Sequence, residues 1–100
     1  MKLVLTDAAL DDLRSIRDYT LETWGEVQEE RYLRKIWSRI ESLRADPFRY
    51  RLREELFPGC RLASEGRHVL LFRASDGILE IVRVLHSAMD FKRQLPPSDG

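Results

Sequence analysis

Two apolar stripes at helical spacing, parted by a single glycine, constrain this chain more than any other feature. Leu10, Leu13, Ile16, Thr20 and Trp24 recur at intervals of three and four, Gly25 intervenes, and Leu33, Ile36, Ile40 and Leu43 repeat the pattern. Each stripe predicts an amphipathic helix. Thr6 or Asp7 supplies the first N-cap, and Asp7, Asp11 and Asp12 lie near the positive end of that helix. Gly25 is placed to end the first helix, and the second starts near Glu26. Asp46–Pro47 closes the second, because a residue before proline resists the helical region. So short a connection folds the two helices back side by side as an antiparallel hairpin.

The rest of the chain reads as strands. Lys2–Leu5 is a short apolar strand ahead of the hairpin. From Phe48 to Phe57 aromatic and charged residues mix without a period, and Pro58–Gly59 marks a turn. Cys60–Ser64 and Arg67–Ala74 follow as strands around a tight turn at Glu65–Gly66. Asp76–Gly77 is a strong two-residue hairpin signal, and Ile78–His86 after it is rich in β-branched residues. Ala88–Gln94 can form a short helical turn. The expected order is β-α-α-β-β-β with that turn at the C-terminus. It is an α+β layer in which a helical hairpin packs on a small antiparallel sheet. Residues 1–95 make one domain, and 96–100 a disordered polar tail.

With Asp76 and Gly77 as the two loop residues, Phe72 faces Ile81, Ala74 faces Leu79, Leu70 faces Arg83 and His68 faces Leu85. On the other side of the sheet Arg73 meets Glu80, Leu71 meets Val82, Val69 meets Val84 and Arg67 meets His86. The opposite charges of Arg73 and Glu80 support this register. The helices should cover the face with Phe72 and Ile81. That leaves Val69, Leu71, Val82 and Val84 as a contiguous apolar block ringed by Arg67, Arg73 and His86, the profile of an interaction site. A foreign protein is the favoured cover; a second copy of the chain and the segment around Phe91 are the alternatives.

Composition narrows the function classes. The 100 residues carry 17 Lys plus Arg against 17 Asp plus Glu, a balance that argues against a dedicated nucleic-acid binder. With 43% hydrophobic and 34% charged residues a core can form. Arginine supplies 14 of the cations and lysine three, a bias that suits carboxylate-binding interfaces. A lone Cys60 rules out an internal disulfide and a Cys-built zinc site, and only His68 and His86 remain for any other metal. No apolar run reaches the length of about 18 residues that spans a bilayer, and the N-terminus is no secretory signal. A cytoplasmic protein is expected, without cofactor or metal. Cys60 reads as a small buried hydrophobe. Asp11, Asp12, Glu54 and Glu55 read as capping or solvated acids. His86 with neighbouring arginines could serve RNA cleavage as acid or base, though a protein interface is the preferred reading.

The stretch GRHVLLFRASDGILEIVRVLHSAMDFKRQL, Gly66 to Leu95, resembles the C-terminal half of ParE toxins of the RelE/ParE toxin–antitoxin superfamily. The resemblance rests on Gly66, Arg67, Val69, Phe72, Arg73, Asp76, Gly77, Ile81, Val82, Arg83, Val84, Leu85, His86, Ala88 and Asp90. Thr6, Ala8, Leu10, Asp12, Leu13, Ile16, Tyr19, Leu43 and Pro47 extend it over the first half.

The resemblance implies a type II toxin that inhibits DNA gyrase, is not an enzyme, and is silenced by a ParD-like antitoxin in a hetero-oligomer. Operator DNA would be met only through the antitoxin, and no membrane is involved. Arg67, Val69, Leu71, Arg73, Val82 and Val84 are the expected antitoxin contacts, and His86, Asp90, Phe91 and Arg93 the expected gyrase contacts. The alternatives are a RelE-like mRNA endonuclease using Arg67, Arg73 and His86, or an inactive relative that only binds antitoxin. No tyrosine follows His86, which favours the gyrase branch.

Overall fold

The computed structural model describes residues 1–95; the tail expected at 96–100 lies outside the described residues. Strand β1 (Lys2–Leu5) leads into helix α1 (Asp7–Trp24), and helix α2 (Glu26–Ala45) returns beside it. After a single 3₁₀ turn at Pro47–Arg49 come β2 (Arg61–Glu65), β3 (His68–Ser75), β4 (Ile78–His86) and the one-turn helix α3 (Phe91–Gln94). The expected element order is found. No helix among the described residues is long and apolar enough to cross a membrane.

Local chemistry accounts for the boundaries. Thr6 is the N-cap of α1: its Oγ1 accepts the Ala9 N–H at 3.0 Å and donates to the Val82 carbonyl at 2.7 Å, tying the helix start to β4. Gly25 sits at φ 90°, where a side chain would be strained, and its N–H closes α1 on the Leu21 carbonyl at 3.0 Å. Asp76 and Gly77 both have positive φ, 52° and 76°, as the tight two-residue hairpin requires.

The sheet order is β1-β4-β3-β2. β2, β3 and β4 are antiparallel as expected, but β1 joins β4 in parallel, so the sheet is mixed. A parallel β1 ends level with Ile81, which lets α1 start beside Val82 and run past the remainder of β4.

The β3–β4 register holds as expected from Phe72–Ile81 to Ser75–Ile78 and then slips by one at a bulge. Beyond the bulge Leu71 faces Arg83, Leu70 faces Val84, Val69 faces Leu85 and His68 faces His86. The extra residue in β4 turns each later side chain to the opposite face. Val84 therefore joins Leu70, Phe72 and Ile81 in the core under the helices, with Leu13, Ile16, Ile36, Ile40 and Leu43. Leu85 instead joins Val69, Leu71 and Cys60 on the other face.

That second face is not bare. Leu56, Phe57, Leu62, Phe91 and Leu95 pack over it, leaving Val69 4% and Leu71 0% exposed. The aperiodic stretch before Pro58 and the C-terminal turn are thus the cover, so the expected open block of Val69, Leu71, Val82 and Val84 does not exist. Burial drives the Cys60 thiol up to about 12, in keeping with its role as a small apolar side chain.

Candidate functional site: a groove between the helical hairpin and the end of the sheet

A groove of about 730 Å³ opens between the helical hairpin and the end of the sheet. One wall is helical, with Asp12, Ile16, Tyr19 and Trp24 from α1 and Tyr32 and Lys35 from α2. The other wall is the β2–β3 turn with Arg67 and His68, the end of β4 from Arg83 to His86, and Met89 and Gln94. Tyr19 and Trp24 are each 65% exposed at its rim.

At its floor Asp12 is not the solvated acid that its neighbours suggested. Its Oδ2 accepts the Arg83 Nε–H at 2.7 Å and the Val84 N–H at 2.9 Å, and its Oδ1 accepts Arg83 Nη2–H at 2.8 Å. Val84 lies beyond the end of β1, so its outward N–H has no strand partner and takes the carboxylate instead. Arg83 also donates to the Gln94 carbonyl, which holds the C-terminal turn against β4. The hydrogen bond to Asp12 is the main reason that the Arg83 guanidinium is raised above its ordinary value.

Deeper in the groove Tyr32 joins three elements. Its hydroxyl accepts the Arg67 backbone N–H at 3.1 Å and lies 2.5 Å from His68 Nδ1 and 3.4 Å from the Glu65 carbonyl. This contact needs Gly66: at φ 58°, a Cβ there would stand 2.8 Å from the tyrosine ring. The His68 and His86 rings meet edge to face with centroids 5.4 Å apart. Burial is the first cause that lowers His68 from its ordinary value, His86 adding to it and Asp12 opposing it. Burial likewise raises Tyr32, against the lowering effect of the Arg67 N–H.

The structure separates the six residues expected to meet an antitoxin. Arg67 lines the groove, Val69 and Leu71 are buried under the cover of the second face, and Val84 is in the helix-side core. Val82 is half-buried at the bulge. Arg73 is toward the other end of β3, paired with Glu80 at 2.6 Å and lying over the Phe57 ring. Arg67, Arg73 and His86 therefore do not meet as a cleavage site. Of the expected gyrase contacts, His86 lines the groove, while Asp90 caps α3 through the Lys92 N–H. Phe91 packs on the second face, and Arg93 is exposed. Reading the residues one by one missed Tyr32, Lys35 and the Asp12–Arg83 pair. Nothing local marks them, since each gains its meaning from a partner distant in the chain.

A β-α-α-β-β-β domain with a helical hairpin on one sheet face and a groove at the sheet end is of the RelE/ParE class. Its fold is that of a solved chain from the "Chromosomal ParDE TA system from P. aeruginosa", with a TM-score of 0.74, 22% identity, and 86% of this chain and 95% of that chain covered. Residues 3–91 match the family described as "ParE toxin of type II toxin-antitoxin system, parDE". Toxin ParE1 of Mycobacterium tuberculosis is 39% identical over 95 residues, covering 94% of this chain and 97% of the relative. Toxin ParE of Escherichia coli is 37% identical over 94 residues, covering 92% and 90%. Toxin ParE1 of Caulobacter vibrioides is 33% identical over 91 residues, covering 91% and 94%. The chain belongs to the ParE family of type II toxins.

Proposed function

We propose that this toxin acts in the cytoplasm by inhibiting DNA gyrase, without catalysis of its own, and is silenced by a ParD-like antitoxin in a hetero-oligomer. Operator DNA is then engaged only by the antitoxin. The observation that carries the reading is the match to the ParE family over residues 3–91, nearly all of the described chain. The wide separation of Arg73 from Arg67 and His86 speaks against the cleavage site that a RelE-like nuclease would need.

With the second sheet face covered, the groove is the surface that this reading assigns to the antitoxin, and Arg67 is the one expected contact that lines it. The gyrase contact is carried by the C-terminal segment with His86, Asp90, Phe91 and Arg93. Phe91 also belongs to the cover of the second face, so exposed Arg93 is the better probe than a deletion, which would uncover Val69 and Leu71.

Purified toxin should block gyrase supercoiling of plasmid DNA, and the small protein encoded beside it should restore it. Arg93→Glu should weaken inhibition while leaving antitoxin binding intact. Normal supercoiling with excess folded toxin overturns the reading, and ribosome-dependent mRNA cuts would replace it with the nuclease.

A further inference from the structure

Of the aperiodic stretch that follows α2, Leu56 and Phe57 cover the second sheet face. The residues before them, PFRYRLR from Pro47 to Arg53, hold three arginines and no carboxylate, and none of them lines the groove. Tyr50 gathers guanidinium groups from three parts of the chain. Its carbonyl accepts Arg61 Nη1–H from the start of β2, and its hydroxyl accepts Arg39 Nη1–H from α2 at 3.3 Å. Arg49 lies over its ring, 5.2 Å from Cζ to the centroid. Arg61 also lies over the Phe48 ring at 5.3 Å, so Phe48, 57% exposed, is a seat for a cation and not a piece of core.

Nine of the 14 arginines are ion-paired among the described residues; Arg31, Arg49, Arg51, Arg61 and Arg67 are not. Three of those five belong to this one patch. The acids that could neutralise it are engaged elsewhere: Glu55 pairs with Arg53 at 3.0 Å, and Glu65 with Arg39 at 3.4 Å. Glu54 accepts the Gly59 N–H at 3.1 Å, which leaves Asp46 alone against three unpaired arginines. A guanidinium that meets a ring with its face keeps N–H edges free for an oxyanion.

We propose that Arg49, Arg51 and Arg61, held on Phe48 and Tyr50, bind the phosphate backbone of duplex DNA, so that the toxin touches the DNA on which gyrase works as well as gyrase. The choice of that DNA rests on the gyrase reading above. Charge complementarity selects a polyanion, and closely spaced phosphodiesters, each able to accept two N–H bonds, suit neighbouring guanidinium groups. DNA is the polyanion that a gyrase inhibitor meets. The balanced net charge of the chain confines the attraction to this patch, and backbone contacts carry no sequence information, so operator recognition stays with the antitoxin.

Two measurements separate failure of this assignment from failure of the gyrase reading. In the first, a labelled duplex of unrelated sequence is titrated with full-length toxin, and anisotropy gives Kd between about 0.05 and 0.2 M salt. Three phosphate contacts should give log Kd a slope of roughly 2.7 against log salt. Arg49→Gln and Arg51→Gln should each lower that slope by about 1 and weaken binding about tenfold at the lower salt. Arg61 also holds the Tyr50 carbonyl, so the exposed Arg49 and Arg51 decide the test. Arg31→Gln removes an equally unpaired charge from α2 and should stay within about twofold of wild type. In the second, the Arg49→Gln/Arg51→Gln double variant should need about tenfold more protein than wild type to block supercoiling. Unchanged DNA affinity in the Arg49 and Arg51 variants overturns the proposal and leaves the gyrase reading standing. Lost DNA affinity with undiminished inhibition overturns it as well. No toxin–DNA complex at low salt, with gyrase binding lost in the same variants when DNA is absent, replaces DNA with an acidic protein surface. Wild-type toxin that never affects supercoiling overturns the gyrase reading and, with it, the choice of DNA.

Discussion

Replacing Asp12 with alanine tests whether one carboxylate pins α1 to the end of β4. The substitution removes three hydrogen bonds at 2.7, 2.8 and 2.9 Å and leaves the Arg83 guanidinium and the Val84 N–H without their acceptor. Breaking a fully buried ion pair costs about 3–5 kcal/mol. Here the Arg83 and Asp12 side chains keep 20% and 14% of their surface in water, so solvent recovers part of that loss. The expected destabilisation is about 2–3 kcal/mol, a drop in Tm of roughly 10–20 °C for a chain of this size. Asp12→Asn keeps the shape and one acceptor oxygen but not the charge, and should cost about 1–2 kcal/mol. Urea unfolding followed by circular dichroism measures both, and a cycle with Arg83→Met should give a coupling energy above about 1 kcal/mol. A loss under about 0.5 kcal/mol for Asp12→Ala, or strict additivity with Arg83→Met, would place the pair with ordinary surface ion pairs and refute the reasoning.

Two further outcomes follow from the groove. Gly66→Ala forces a Cβ against the Tyr32 ring and onto a positive φ, so it should destabilise the fold by about 1–3 kcal/mol. Its chemical denaturation should show this, while Gly25→Ala, with open space around it, should show only the cost of the backbone conformation. Stability should also vary with pH on both sides of a plateau. His68 is lowered by burial, so its contribution is complete above its ordinary value of 6.5 and is lost as pH falls through the folded-state value. Tyr32 and Cys60 are raised, so stability falls as pH climbs past their ordinary values of 10.0 and 9.0. His68→Gln should flatten the acid limb in Tm measurements; an unchanged limb would show that His68 is not its source.

The sequence by itself determined the local elements, because their causes lie within a few residues. The helical stripes, Thr6 as a cap, Gly25 as a break and Asp76–Gly77 as a hairpin turn are each readable at short range, and all are found. Family resemblance then reached what local physics does not carry, the membership in the ParE toxins. Tertiary structure decided where the open surface is. Opposed charges at Arg73 and Glu80 pinned only the near half of the β3–β4 pair, and the bulge at Leu71/Phe72 redirected the far half. One extra residue moved Val84 under the helices and took Leu85 to the other face, and Leu56, Phe57 and Phe91 cover the apolar block that remains there. The groove depends on Asp12 finding Arg83 and Tyr32 finding His68, contacts that span much of the chain. Such contacts leave no period or spacing to read, because they are set by how whole elements pack and not by the residues beside them.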